Sequence, residues 1–282
     1  GIQTIKKRVW NYRMYLNTRD KGLSRTLFLY GRREIDHYKM LQEILEPGMH
    51  IMDIGANIGY YAIMESLKIG PSGQVIAIEP MFENIEMLQR NVKLNKTDNI
   101  KIIHGAVSNS NGTGQMFRST HSNLHTFHQH GSALAHLYTE PIEVPTMTLK
   151  LASEFSNEQI QLIRMDVEGH EVEILRQLAT LVEQNVMSPK VIFETHLTRY
   201  KGKNDFFPVL KKLFQLGYEV RIASSSGKSG TNYVSRLGYK SGTPFFSDFS
   251  ERSIFRDLSH EHSLDLICNT GGLRTILLEK TQ

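Results

Sequence analysis

Asp53-Ile54-Gly55-Ala56-Asn57-Ile58-Gly59 decides the fold of this chain of 282 residues. The stretch ends an apolar strand, residues 50–54, and leads directly into a helical pattern of apolar residues over positions 58–68. Glycines in such a turn let the backbone approach a ligand and free the first helix amides to face it. The G-x-x-x-G spacing lacks the central glycine of the dinucleotide motif, which admits a pyrophosphate. The turn therefore predicts a nucleotide-like ligand without pyrophosphate, and S-adenosylmethionine is such a compound.

Glu79 adds a second feature of a nucleoside site. It closes the next apolar strand, residues 74–78, twenty positions after Gly59. An acidic residue at the end of the second strand accepts hydrogen bonds from both ribose hydroxyls in dinucleotide folds. We therefore predict that Glu79 binds the ribose of the ligand.

Short apolar strands alternate with helical patterns along the rest of the chain. Near-continuous apolar strands of this kind are typical of a mostly parallel sheet that is covered on both faces. We therefore predict a three-layer α/β fold. The predicted strands are residues 50–54, 74–78, 101–103, 160–165, 191–193, 218–222 and 273–278.

The chain is expected to form one structural unit, with a cap of residues 1–49 on a domain of residues 50–282. In the cap, residues 13–16 and 26–30 are predicted to pair as a hairpin, and residues 35–45 have helical spacing. The segment 224–270, between the last two strands, is long, and such segments are usually functional lids or disordered loops.

Composition and charge exclude several classes of protein. Cys268 is the single cysteine, which excludes an internal disulfide framework. No uninterrupted apolar stretch approaches membrane-spanning length, so we expect a cytoplasmic protein without an integral membrane segment. Lysine and arginine total 33 against 29 acidic residues, but the first forty residues are strongly basic. This basic arm could meet an anionic substrate, a membrane surface or nucleic acid, although a solvated surface is the more common role of such charges.

Three motifs together resemble the FkbM family of S-adenosylmethionine-dependent methyltransferases. They are residues 53–59, Glu79-Pro80, and Ile163-Arg164-Met165-Asp166-Val167-Glu168-Gly169, and segments 46–48, 104–108 and 194–196 support them. The resemblance implies a class I, Rossmann-like fold with a mostly parallel seven-stranded sheet and an antiparallel edge strand. It also implies methylation of a hydroxyl oxygen in most cases.

The resemblance further implies a set of cofactor-binding residues. Asp53, Gly55, Ala56 and Asn57 would hold the methionine part, Glu79 the ribose, and His104, Gly105 and Ala106 the edge of the adenine; Gly59 and Pro80 complete the set. The chain departs from the family at Thr148-Leu149-Lys150, where an aspartate commonly follows the leucine. Any role of that aspartate is therefore in doubt, whereas the cofactor motifs are unaffected.

Four polar residues follow the fourth and fifth strands of the parallel sheet. Asp166 and Glu168 lie just after one strand, and Glu194 and His196 lie just after the next. Because ligands bind outside the carboxyl ends of such strands, these side chains are candidate catalytic residues. His196 is the predicted general base, since a histidine can be neutral near pH 7. The three carboxylates would orient the cofactor, the acceptor or His196.

A metal ion is a second possibility at the same place, although we predict none. Asp166, Glu168, Glu194 and His196 could bind Mg²⁺ or Mn²⁺, which would lower the pKa of an acceptor hydroxyl. The segment from His121 to His136 is also rich in imidazole, but it lacks cysteine and carboxylate ligands. It is expected to be a solvated insertion beside the acceptor pocket.

The sequence thus predicts an S-adenosylmethionine-dependent O-methyltransferase that acts on a hydroxyl of a small molecule, a sugar, or a polyketide or glycolipid type of acceptor. One alternative is a nicotinamide-dependent oxidoreductase, which the missing glycine disfavours. Another is a methyltransferase or binding module that meets nucleic acid through the basic arm, although no nucleic-acid-binding motif accompanies the charges.

Overall fold

The computed structural model describes residues 3–119, 125–127 and 138–281 of the chain. The strands are β1 Thr4–Val9, β2 Tyr12–Asn17, β3 His50–Ile54, β4 Gln74–Glu79, β5 Ile100–His104, β6 Ala106–Val107, β7 Gly112–Ser119, β8 Tyr138–Met147, β9 Leu162–Met165, β10 Lys190–Glu194, β11 Tyr218–Ser225, β12 Phe245–Ser247, β13 Ser250–Arg252, β14 Ile254–Leu258 and β15 Leu273–Lys280. The α-helices are α1 Leu23–Tyr30, α2 Ile35–Ile44, α3 Tyr60–Ile69, α4 Phe82–Asn95, α5 Leu149–Ser153, α6 Glu171–Glu183, α7 Phe207–Gln215, α8 Lys228–Arg236 and α9 His260–Cys268.

The main sheet has the strand order β14-β11-β15-β10-β9-β3-β4-β5. The five strands from β10 to β5 run parallel, as their continuous apolar sequences predict. Adjacent side chains of β3 enter opposite faces: Ile51 packs with α2 and α3, and Met52 packs with α6 and α7. Helices therefore cover both faces, which confirms the predicted three-layer α/β fold.

The strand count differs from the expectation, whereas an antiparallel edge strand is present as predicted. The described sheet has eight strands rather than seven, because Ile254–Leu258 adds β14 beside β11. The antiparallel strand β15 lies inside the sheet, between β10 and β11. The edge strand at that side is β14, which is also antiparallel to its neighbour.

The segment 224–270 was expected to be a lid or a disordered loop, and that expectation is wrong. It contains helix α8, the hairpin of β12 and β13, strand β14 and helix α9. Phe255 of β14 and Leu266 of α9 are buried in the main core. Serines and glycines at the start of the segment indicated a loop, whereas sheet pairing with β11 supplies order that local sequence does not show.

The amino-terminal hairpin also pairs differently from the prediction. Strand β1 pairs with β2, and residues 26–30 belong to helix α1. The carboxylate of Asp20 accepts hydrogen bonds from the amides of Gly22, at 2.9 Å, and Ser24, at 2.8 Å, where the helix begins. A carboxylate in that position satisfies free amides at a helix start. The residues between Leu23 and Tyr30 include only one β-branched side chain, which also favours a helix.

The cap contacts the domain through a shared apolar core. Leu16 and Met40 belong to the same buried cluster as Ile51 and Ile63 of the domain. Asn91 of α4 accepts a hydrogen bond from the backbone amide of Tyr15 at 2.6 Å. The division at residue 49 stays a prediction.

The topology brings four strand ends to one edge of the sheet. Strands β3, β4, β9 and β10 are parallel, so residues that follow them meet at their carboxyl ends. A small sheet of order β6-β8-β7 begins just after β5. Within the described residues, no helix has the length and apolar character that crossing a membrane requires.

Candidate functional site

The turn after β3 has a shape that its glycines make possible. Gly55 has a φ of +80°, and a Cβ there would lie 2.4 Å from the carbonyl oxygen of Asp166. Gly59 has a φ of +90°, and its Cβ would lie 2.5 Å from Leu88. The amides of Gly55 and Ala56 both donate to the carbonyl of Ile78, at 2.9 and 3.0 Å. The turn is therefore packed between β4 and the residue after β9.

Glu79 lies at the end of β4 and faces this turn. Its carboxylate accepts hydrogen bonds from the amides of Asn57, at 2.9 Å, and Met81, at 3.0 Å, and from the side chain of Asn84, at 3.0 Å. Burial raises the pKa of Glu79 to about 7, against the effect of these donors. The carboxylate is thus fixed in orientation at a partly dry site, as binding to a neutral hydroxyl pair requires.

A cleft opens beside Glu79. Its apolar walls include Ile78, Met116 and Phe127, which suit a flat base. Of the predicted residues, its lining contains Gly55, Asn57, Glu79, Pro80, Gly105, Ala106, Asp166 and Glu168. The lining of this cleft does not include Asp53, Ala56, Gly59, His104, Glu194 and His196.

Asp53 and His104 have other contacts. Asp53 is fully buried and pairs with Arg164 at 3.0 Å, directly across the two paired strands. Its role here is to fix β3 against β9 rather than to touch the cleft. The imidazole of His104 hydrogen-bonds the carbonyl of Pro80 at 3.0 Å and is exposed.

His196 lies between two carboxylates. Its Nδ1 is 2.8 Å from Glu171 Oε1, and its Nε2 is 3.7 Å from Glu168 Oε2. Burial disfavours the charged ring, but Glu171 and Glu168 outweigh this and raise the pKa of His196 well above its ordinary value. The two carboxylates therefore favour the protonated ring, which argues against the predicted role of His196 as a neutral base. The sequence analysis missed Glu171, although it lies three residues after Glu168.

Glu168 is a candidate general base in place of His196. It lines the cleft, and burial raises its pKa to about 7 while the charge of His196 opposes the rise. Its backbone has a φ of +52°, a left-handed conformation that L residues rarely adopt. Strain of this kind collects at functional sites.

A second cavity lies on the other side of the Gly55–Asn57 turn. Its lining includes Arg33, Glu34, Arg164 and Asp166, and its volume is about 370 Å³. Arg33 forms an ion pair with Glu34, and both come from the link between α1 and α2. The sequence analysis missed this pair, because nothing in the local pattern places the link beside β3.

The two cavities share a charge network in which acidic groups outnumber basic groups. Six carboxylates are linked by ion pairs to three arginines and His196. Burial raises the pKa of Glu194 to about 8, against the effect of Arg274 at 2.9 Å. A cationic ligand would favour the ionised forms of the carboxyls whose pKa values are raised, so the network suits such a ligand. Its carboxylates are Glu34, Asp53, Asp166, Glu168, Glu171 and Glu194, and its cations are Arg33, Arg164, Arg274 and His196.

Two sets of side chains in this network have the spacing of a metal site. Ligand atoms lie within 4.8 Å of one another in the set Asp166, Glu168 and His196, and in the set Glu34, Asp166 and Glu194. Each of these four carboxylates already faces an arginine or His196, and these cations would repel a metal ion. The donor set therefore fits metal binding poorly, and the absence of a required metal stays a prediction.

Most of the histidine-rich segment, including His121 and His136, lies outside the described residues. His125 is described, and it lines the cleft. Burial lowers the pKa of His125 to about 4, so the ring is neutral, and its Nδ1 accepts the amide of Ser119 at 2.9 Å. At least this histidine therefore belongs to the wall of the cleft.

A family comparison agrees with the geometry. A profile described as the methyltransferase FkbM domain matches residues 53–220, which is more than half of the chain. The chain belongs to the FkbM methyltransferase family. Membership confirms the predicted resemblance and the predicted cofactor, S-adenosylmethionine, and it favours a methyltransferase over the oxidoreductase alternative.

Individual curated relatives match only part of this FkbM methyltransferase domain. A protein-L-isoaspartate O-methyltransferase from Methanothrix thermoacetophila is 34% identical over 61 residues, 22% of this chain and 29% of that protein. The enzyme of the same name from Triticum aestivum is 33% identical over 55 residues, 20% of this chain and 24% of that protein. The chain thus matches less than a third of the length of these relatives. A solved S-adenosylmethionine-dependent O-methyltransferase from Thermotoga maritima has a TM-score of 0.44 at 12% identity, covering 91% of this chain and 70% of that one.

Proposed function

We propose that the protein is an S-adenosylmethionine-dependent O-methyltransferase whose acceptor is a neutral hydroxyl on a small molecule, a sugar, or a polyketide or glycolipid type of compound. The observation that carries this proposal is Glu168, a carboxylate with a pKa near 7 that faces the cleft and is held by His196. A base of this pKa is useful for an acceptor that must lose a proton at neutral pH.

The residues of the two cavities fit the cofactor. Met116 and Phe127 would enclose the adenine, and Glu79 would accept hydrogen bonds from the ribose hydroxyls. Asp166 lines both cavities and would bind the ammonium group, while Arg33 in the second cavity would bind the carboxylate. When bound, the cofactor supplies an electrophilic methyl group on a positively charged sulfur. This positive charge suits a network in which acidic groups outnumber basic groups.

The protein would contribute positioning and proton removal. Glu168 would accept the proton of the acceptor hydroxyl as the oxygen attacks, and it needs to be ionised to do so. His196, protonated and anchored by Glu171 at 2.8 Å, would hold Glu168 in place and stabilise its ionised form. We therefore propose His196 as a positioning residue and Glu168 as the base, in place of the roles predicted from the sequence.

The charge network also favours a hydroxyl over a carboxylate acceptor. The isoaspartate O-methyltransferases that match part of this chain are named for a substrate carboxyl group. A carboxylate acceptor needs no base, and here its charge would raise the pKa values of Glu168 and Glu194 further and would repel Asp166. A neutral hydroxyl avoids that repulsion and uses the base.

Transfer of a labelled methyl group tests the proposal. The purified protein would be incubated with labelled S-adenosylmethionine and either hydroxyl compounds, such as sugars and polyketides, or isoaspartyl peptides. We expect one added methyl group on a hydroxyl compound, stable to mild alkali, and none on the peptides. An alkali-labile methyl ester on the peptides, without labelled ethers, would contradict the proposal.

A further inference from the structure

The most exposed of the large apolar side chains lie mainly on one part of the surface. Among the described residues, four of the five most exposed large apolar side chains are Phe249, Phe246, Tyr30 and Leu29, at 72%, 65%, 56% and 54%. Phe28 of α1 is 44% exposed as well. The Tyr30 and Phe249 rings lie 5.4 Å apart, edge to face, so the helix and the hairpin form one continuous area. We call these five side chains the apolar surface.

The hairpin holds Phe249 in this position. Asp248 and Phe249 have φ values of 45° and 65°, which side chains of this kind rarely adopt. The carboxylate of Asp248 accepts the amide of Glu34 at 3.1 Å, and Ser247 Oγ accepts the amide of Ile35 at 2.9 Å. These aromatic rings are exposed on a hairpin tip that hydrogen bonds hold in a strained backbone conformation. Such a tip indicates a surface that contacts another molecule.

Basic side chains border the apolar surface. Residues 21–32 contain three exposed basic side chains, Lys21, Arg25 and Arg32, and no acidic residue. On α1, Arg25 lies three and four positions before Phe28 and Leu29, so the three share an exposed helix face. The ammonium group of Lys7 lies 5.0 Å from the centre of the Phe28 ring, and that of Lys39 lies 4.4 Å from the Phe245 ring on the hairpin.

We propose that the apolar surface and its basic border bind an anionic lipid bilayer. Exposed Phe and Leu beside Lys and Arg on a short helix are the features that insert into an anionic membrane interface. Nucleic acid would use the arginines and aromatic rings but would gain little from an aliphatic side chain such as Leu29. Glutamate appears on the hairpin at Glu251, opposite Phe246, so the attraction comes mainly from α1 and the residues after it.

The apolar surface lies next to the second cavity of the candidate site. Helix α1 is followed by Arg33 and Glu34, which line the second cavity, and the hairpin tip binds the same link. A bilayer bound here would therefore lie close to the second cavity. The inference goes beyond the proposed methyl transfer and does not depend on it, because binding to a membrane is measured without turnover.

Vesicle sedimentation tests the inference with the full chain. We expect binding to vesicles of phosphatidylcholine mixed with phosphatidylglycerol and little binding to phosphatidylcholine alone. Replacing two exposed side chains, in Leu29→Ser with Phe249→Ser, should weaken binding about tenfold, because both lose apolar contact with the bilayer. Arg25→Glu should weaken it at least about fivefold.

Matched variants on other surfaces are the controls. Val186→Ser changes an exposed apolar residue between α6 and β10, at the amino ends of the parallel strands and away from the site. Lys211→Glu reverses an exposed charge on α7. Both should bind vesicles as the unchanged protein does, and thermal melting would verify that all variants fold. Absence of vesicle binding, or equal losses in the controls, would overturn the inference. Binding to mixed-sequence RNA that Arg25→Glu weakens and Leu29→Ser with Phe249→Ser leaves unchanged would assign the surface to nucleic acid instead.

Discussion

Glu168 is the residue on which the proposed chemistry depends, and its pKa gives a direct test. The Glu168→Gln variant keeps the size of the side chain but cannot accept a proton. We expect kcat to fall 10²–10⁴-fold, the usual contribution of a general base. In the unchanged enzyme, kcat should rise with pH through about 7, because the ionised carboxylate is the active form.

The control for this prediction is Glu183→Gln, at the far end of α6, where the side chain is exposed and pairs with Lys212. It should leave both kcat and the pH profile unchanged. A Glu168→Gln enzyme that retained the rise in kcat near pH 7 would show that another group is the base.

His196 can be separated from Glu168 by the direction in which the pH profile moves. Replacing the charged ring, in His196→Asn, removes the positive charge that opposes the raised pKa of Glu168. The midpoint of the kcat profile should therefore shift to higher pH, and kcat should fall near pH 7. A variant that lost activity equally at every pH would indicate only a structural role for His196.

Glu79 provides the corresponding test of the cofactor site. Glu79→Gln loses the charge that would strengthen two hydrogen bonds to the ribose, each worth about 1.5–3 kcal/mol when one partner is charged. We expect the affinity for S-adenosylhomocysteine to fall at least about tenfold in calorimetry. Glu83→Gln, four residues later on the exposed side of α4, is the control and should bind normally. Equal affinity in the two variants would show that Glu79, at the end of β4, does not bind the ribose.

At the scale of elements, a buried ion pair fixes the β12–β13 hairpin. Asp36 of α2 accepts hydrogen bonds from Arg252 at 2.8 Å, Ser224 at 2.7 Å and Thr275 at 3.0 Å. Burial opposes its ionisation, but Arg252 lowers the pKa of Asp36 below its ordinary value. The hairpin is thus joined to α2, β11 and β15 through one carboxylate.

Removing the cation of this pair should destabilise the protein strongly. Arg252→Met leaves the buried Asp36 without its opposite charge, which typically costs about 3–5 kcal/mol of unfolding free energy. The chain offers a matched control in Arg256→Met, which breaks an exposed pair with Glu43 and should cost less than about 1 kcal/mol. Urea denaturation of both variants measures the difference. Similar losses would mean that the buried pair does not anchor the hairpin.

The elements that sequence could predict are those with strong local patterns. The strands around Ile51, Ile76 and Ile192 are continuous apolar runs, so their parallel order was predictable. Helix α1 was predicted as a strand because its aromatic residues are also typical of strands. Strand β14 gains its order from pairing with β11, which no local pattern encodes.

The candidate site was predictable where its residues follow strands, and not where distant elements meet. Arg164 was a visible signal, since a cation inside an apolar strand needs a partner, and its partner Asp53 lies across the strand pair. Arg274 lies far along the chain from Glu34 and Glu194, and only the folded sheet brings it to both carboxylates.

At the scale of the whole molecule, the raised pKa values of three buried carboxyls predict how stability depends on pH. Burial raises the pKa of Glu79 and Glu168 to about 7 and that of Glu194 to about 8, whereas these carboxyls have ordinary values near 4.5 in the unfolded chain. The folded state therefore holds protons that the unfolded state has released. Stability from these groups is complete below pH 4.5 and is lost as the pH rises through 7 and 8.

Between pH 6 and pH 8.5, the part of the unfolding free energy that comes from these three carboxyls should accordingly fall by roughly 5 kcal/mol. Glu34 and Asp36, whose pKa values are lowered, contribute nothing to this change, because they are ionised in both states over the whole interval. Urea denaturation at the two pH values, with Glu194→Gln beside the unchanged protein, isolates the effect. The variant should lose part of the pH dependence, since its amide does not titrate. A protein that became more stable toward pH 8.5 would show that the folded state holds no extra protons on these carboxyls, and the raised pKa on which the role of Glu168 as a base depends would then be contradicted.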